Sequence, residues 1–192
     1  LFDLGSFTDP GDDDPWQATV AWGDGSLDSV FSETAPGAIA DQTHTYADDG
    51  TYTVTIAVKE DAGTGASGSA TFQVTVANLP PVISAIVAES PIDEGESSTV
   101  TVTATDPAGA SDPLAYNFDC DGNSVFEVGP QASNTHDCAF PDNGSFTVNV
   151  RVTDGDGGAD TESDTVQVQN VAPAVTAPAN QTASEGSSET FS

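Results

Sequence analysis

Apolar and polar residues alternate one for one along much of the chain. From Tyr52 the alternation is strict: Tyr52, Val54, Ile56 and Val58 fall on one side, and Thr51, Thr53, Thr55 and Ala57 on the other. That is the period of a half-buried strand. The same period runs through Trp16, Ala18, Val20 and Trp22, through Phe72, Val74 and Val76, and through Val100, Val102 and Ala104. It predicts strands over 4–7, 16–22, 29–31, 46–58, 70–76, 83–87, 97–105, 114–120, 146–150 and 165–168. No segment carries the 3.6-residue period of a helix. Turn signals separate the strands: Gly23-Asp24-Gly25, Asp48-Asp49-Gly50, the Gly/Ala/Thr stretch 61–67, and Asp154-Gly155-Asp156-Gly157-Gly158. Gly23 and Gly25 flank Asp24 where a positive φ is expected. Many short strands with frequent turns predict an all-β sandwich.

The pattern repeats. Asn78-Leu79-Pro80-Pro81 reads as a linker stiffened by paired prolines. Its counterpart Asn170-Val171-Ala172-Pro173 follows 92 positions later. Between them Thr105-Asp106-Pro107 matches Thr8-Asp9-Pro10, residues 114–120 match 16–22, and Asp142-Asn143-Gly144 matches Asp48-Asp49-Gly50. Ala174-Val175-Thr176 echoes Val82-Ile83-Ser84, and Ser184-Glu185-Gly186 echoes Asp93-Glu94-Gly95. The chain therefore divides into 1–79, a sandwich lacking its opening strands; 80–171, a complete sandwich; and 172–192, the opening strands of a next copy. Residues 189–192 run naturally into Leu1-Phe2-Asp3-Leu4, and tail joined to head makes one complete domain. The expectation is an array or fibre in which residues 172–192 of one copy complete residues 1–79 of the next, either covalently continuous or assembled by strand donation. In such an assembly the tail is paired, not free. The chain is expected to be an internal piece of a longer polypeptide.

Charge narrows the partners. Asp and Glu number 31 against two basic residues, Lys59 and Arg151, for a formal net charge of −29. Such a surface repels nucleic acid and anionic membranes, whose binding needs cationic side chains. No apolar run approaches the ~20 residues of a membrane helix. Cys120 and Cys138 lie 18 positions apart, with no Cys-x-x-Cys pair that would suggest zinc or redox chemistry. Both fall at the edges of expected strands within one module. A disulfide fits and implies an oxidising compartment; two buried free thiols are the alternative.

Trp22-Gly23-Asp24-Gly25-Ser26, then Tyr46, then Gly50-Thr51-Tyr52-Thr53-Val54, then Val-Thr-Val-Ala-Asn-Leu-Pro-Pro at the close of the module resemble the polycystic kidney disease (PKD) domain. The second module departs from it, with Cys120-Asp121-Gly122-Asn123 in place of Trp-Gly-Asp-Gly. The resemblance implies tandem immunoglobulin-like β-sandwiches in an extracellular or cell-surface protein, and it implies no catalytic residue. By strand position Cys120 and Cys138 align with Trp22 and His44. A Cys120–Cys138 disulfide is therefore expected in module two, and Trp22 against His44 at the same place in module one.

Asp106, Asp119, Asp121, Asp154 and Asp156 place hard oxygen ligands in turns, as calcium requires; some members of the family bind calcium near such turns. Module one offers Asp9, Asp12, Asp13, Asp14, Glu60 and Asp61. The competing reading is turn capping and solubility. Ser26, His44 and Asp24 form no nucleophile elbow, so a catalytic triad is not supported. Trp16, Trp22, Tyr46, Tyr52 and Phe72 share the parity of Val and Ile and read as core, not a sugar-stacking platform. The favoured function is a structural and adhesive spacer, a reading to which scarcity of Lys and Arg as protease targets contributes. The alternative is a substrate-binding accessory module of a secreted hydrolase, which an exposed aromatic row would favour.

Overall fold

A computed structural model describes residues 1–11, 14–60, 65–182, 184–186 and 190. The strands are β1 (Ser6–Phe7), β2 (Trp16–Ala21), β3 (Ser29–Glu33), β4 (Gly37–Ala38), β5 (Gly50–Lys59), β6 (Ser67–Val76), β7 (Val82–Ala88), β8 (Ile92–Asp93), β9 (Ser97–Thr105), β10 (Ala115–Asp119), β11 (Val128–Gln131), β12 (Thr135–Ala139), β13 (Gly144–Thr153) and β14 (Ala159–Gln169). The fold is all-β, as the alternation requires.

Module two packs a sheet ordered β11-β10-β13-β14-β8 on a sheet ordered β12-β9-β7. Inward residues of both meet in one core: Val100 and Val102 from β9, Phe118 from β10, Val148 and Val150 from β13, and Val166 from β14 are fully buried. Module one has the four-stranded sheet β3-β2-β5-β6. Opposite it stands the pair β1–β4, Ser6 with Ala38 and Phe7 with Gly37, continued by an Ile39 N–H bond to the Gly5 carbonyl and a bridge between Phe2 and Gln42. Among the described residues it has no counterpart of β7. Its core is built of Leu4, Ala18, Val20, Trp22, Ile39, Val54 and Ile56.

Several boundaries differ from the sequence reading. Residues 46–49 form a turn rather than the start of β5. The strands β6 and β14 begin earlier than expected, at Ser67 and Ala159, because antiparallel pairing with β5 and β13 carries past the apolar residues to Lys59↔Ser67 and Thr153↔Ala159. The short strands β4, β8, β11 and β12 carried too little alternation to be read. Asp12, Asp13, Asp61 and much of the 61–67 turn lie outside the described residues, as do Phe191 and Ser192. Residues 172–182 are exposed and belong to no strand.

Candidate functional site

The two modules meet at the Asn78–Pro81 linker. Asn78 donates from Nδ2 to Asp154 Oδ2 at 2.9 Å, tying the end of module one to the β13–β14 turn. That turn is wound around Asp154, whose Oδ1 accepts from Gly158 N–H at 2.6 Å and Asp156 N–H at 3.1 Å. Gly158 is compelled by proximity: a Cβ there would lie 2.8 Å from Pro80 Cα and collide with the Asp154 carboxylate. The hydrogen bond from Asn78, foremost, holds the Asp154 carboxyl below its ordinary pKa.

Carboxylates gather on both sides of this joint. Asp106, Asp112 and Asp154 bring one oxygen each to within 4.8 Å of one another. Asp112 is 2% exposed and accepts Gly155 N–H at 2.6 Å. Asp106 Oδ2 is buried and has no hydrogen-bond partner, which is costly for a carboxylate oxygen unless a cation or proton reaches it. A second group, Asp48 and Asp49 of module one with Asp156 of module two, spans the joint at the same spacing. Repulsion from Asp49, chiefly, raises the Asp156 carboxyl above its ordinary pKa.

The five carboxylates singled out from the sequence are thus split three ways. Asp106 and Asp154 come together with Asp112, which sequence reasoning missed because an Asp seven positions before a strand's end looks like any loop acid. Asp156 faces module one. Asp119 and Asp121 sit with Glu127. Asp119 is fully buried, and its oxygens accept from Gly122 and Ser124 N–H and from Asn149 Nδ2 at 2.8, 2.7 and 2.7 Å. That saturation is the work of a turn anchor. A third chemistry is closed off: Cys120 and Cys138, beside His136, are joined in a disulfide with Cα atoms 5.5 Å apart. At the matching place in module one the Trp22 and His44 rings stack, 4.4 Å apart and 4° from parallel.

The PKD domain family matches residues 2–76 and 78–169. The chain belongs to the PKD domain family. No curated protein sequence matches it. Solved structures similar to it include the fibronectin(III)-like modules of Clostridium thermocellum CbhA, at 16% identity and TM-score 0.40 over 88% of this chain and 82% of that one. Mouse cadherin-23 EC22–24 aligns at 20% identity and TM-score 0.40, over 88% of this chain and 60% of that one. The amphioxus IgVJ-C2 molecule aligns at 16% and 0.47, over 84% and 93%. The two PKD modules carry no helix long and apolar enough to cross a membrane among the described residues.

The joint between the PKD modules makes a pH prediction. The raised Asp156 pKa means that its contribution favours the folded joint in acid and is lost as pH rises through the folded value. In metal-free buffer, Asp156→Asn is expected to raise the melting temperature at pH 7 and leave it unchanged near pH 3. Equal shifts at both pH values would show that Asp49 does not repel it.

Proposed function

We propose that the chain is a structural and adhesive segment of a larger extracellular or cell-surface protein, in which PKD modules act as spacers and contact neighbouring copies head to tail. The observation that supports this best is the built joint: a short Pro-Pro linker, an Asn78–Asp154 hydrogen bond and carboxylates from both modules facing one another. A joint of that kind fixes the angle between modules, which is what a spacer needs. The disulfide supports an oxidising, extracytoplasmic setting. The accessory-module alternative finds no support, since the exposed large apolar side chains among the described residues are all Leu or Val.

Calcium is the proposed ion, held at the joint. Asp106, Asp112 and Asp154 fit it: hard oxygens, close spacing and one buried, unpartnered oxygen. Bound there, calcium would neutralise the carboxylates and stiffen the linker. Asp119 and Asp121, with Glu127, are a weaker candidate because, among the described residues, the buried oxygen without a partner belongs to Asp106 and none to this group.

Calcium at 100 times its Kd should stabilise the fold by about 2.7 kcal/mol. Thermal melts with calcium and with chelator are expected to differ accordingly. The shift should vanish in Asp106→Asn and Asp154→Asn and survive in Asp121→Asn. Identical melts with and without chelator, at low ionic strength, would reduce these carboxylates to solubilising turns.

A further inference from the structure

Module two holds a second kind of metal-ligand set, apart from the carboxylates. Cys120 follows the last residue of β10, while His136 and Cys138 stand two positions apart on β12 and so share its inward side. One ligand atom from each, two sulfurs and a ring nitrogen, lies within 4.8 Å of the other two. Cys138 is 1% exposed, and Cys120 and His136 are partly buried. Both cysteines pack in the apolar core, and the Phe118 ring lies 5.5 Å from that of His136. Among the described residues neither ring nitrogen of His136 has a hydrogen-bond partner, whereas His44 of module one is held by Asp24 at 2.7 Å. A disulfide has no need of an imidazole beside it; a metal ion does.

We infer that Cys120, His136 and Cys138 form a latent site for a thiophilic divalent cation, zinc by preference, which the disulfide masks and reduction opens. Opening takes two electrons. A dithiol supplies them and becomes a cyclic disulfide, while the Cys120–Cys138 bond breaks and each sulfur takes a proton. Zinc then displaces both thiol protons to solvent and binds two thiolates and one neutral imidazole nitrogen. Water completes the tetrahedron, as at zinc sites with three protein ligands.

Three properties of the set select zinc over the calcium proposed at the joint. Thiolate and imidazole are zinc ligands, whereas calcium takes oxygen. Zinc–ligand bonds of ordinary length in a tetrahedron place the donors about 3.5–3.8 Å apart, inside the span that already holds them. The sulfurs must part to reach that separation, and Cys120 is the one placed to turn, since it lies in a bend beyond its strand while Cys138 is buried within β12. Charge is the third property. Two thiolates cancel the charge of the cation, and a neutral complex is what the rim of an apolar core tolerates. The net charge of −29 around it attracts the incoming ion. No Cys-x-x-Cys pair announces the set in the sequence; the packing of one sheet on the other brings residue 120 to 136 and 138. The two forms exclude each other, yet each ties the end of β10 to β12. Zinc thus stands in for the bridge before it closes or after it is reduced.

The full chain tests this, reduced by a phosphine and kept free of oxygen, with calcium in excess to occupy the carboxylates. Cobalt(II) is the spectroscopic probe. The reduced wild type should give a near-ultraviolet thiolate-to-cobalt band and the intense visible bands of four-coordinate cobalt, and zinc should bleach both. The disulfide form should give neither, because carboxylates bind cobalt through oxygen alone. His136→Asn keeps both cysteines, so its folding can be verified in the disulfide form. After reduction its cobalt affinity should fall by more than the roughly 10- to 100-fold that loss of an outer-sphere partner costs. Zinc should also raise the melting transition of reduced module two and leave that of Cys120→Ala/Cys138→Ala unmoved. Absence of the thiolate band in the reduced chain overturns the inference. Equal cobalt affinity in His136→Asn does so too, since a loose dithiol would then suffice. So does a module two that unfolds on reduction and is not refolded by zinc.

Discussion

Trp22→Ala is expected to unfold module one, or nearly so, with a loss of about 3–5 kcal/mol, the usual cost of truncating a fully buried aromatic. Trp22 is 1% exposed. Its ring lies on His44, and Phe2 packs against it at a tilt with centroids 5.4 Å apart. Tyr46 extends the column, donating its hydroxyl to the Trp22 carbonyl at 3.2 Å and stacking on Tyr52 at 4.4 Å. Asp24 fastens the stack from outside by its 2.7 Å contact with His44 Nε2. Removal of the indole thus leaves a cavity against His44 and Phe2. The other buried members of that core, Leu4, Ala18, Val20, Ile39, Val54 and Ile56, are all smaller than the indole. Chemical denaturation of the chain should show two transitions in the wild type. In Trp22→Ala the one belonging to module one should be lost or moved to low denaturant, with module two unchanged. An unchanged first transition would mean that the column is decoration.

The alternation of long strands made the sandwich legible, because a period of two has one structural meaning when one face is buried. Trp22 against His44 and Cys120 with Cys138 could be matched in advance by counting from those strands. Strand ends could not, since the pairing that extends β14 back to Ala159 runs through Asp160, Thr161, Glu162 and Ser163, which carry no apolar signal. The turns were harder still. The sequence aligns Gly23 with Asp121, yet Gly122 does the work of Gly23: a Cβ at Gly23 would lie 2.5 Å from the Thr53 carbonyl oxygen, and one at Gly122 2.9 Å from that of Thr147. The carboxylates were legible as a class but not as groups. Asp119 and Asp154 both sit at turns, and only the fold shows that Asp154 gathers with Asp106 and Asp112 while Asp119 gathers with Asp121 and Glu127.

Removing the Cys120–Cys138 disulfide should lower the stability of module two by about 3 kcal/mol, the chain-entropy value for closing a loop of this length. The bridge joins the end of β10 to β12, hence one sheet of the sandwich to the other. Module one makes the same crossing with stacked rings, and it has no cysteine. A reductant therefore discriminates between two solutions to one structural problem within a single chain. For a domain of this size each kcal/mol moves the melting temperature by roughly 4–8 °C. Reduction, or the double variant Cys120→Ala/Cys138→Ala, should lower the second module's transition by well over 10 °C on that scale, with the first module's transition unmoved. The extracellular reading depends on this asymmetry. If the thiol form of module two melts where the disulfide form does, the bridge contributes nothing to the fold, and with it goes the strongest residue-level argument for an oxidising compartment.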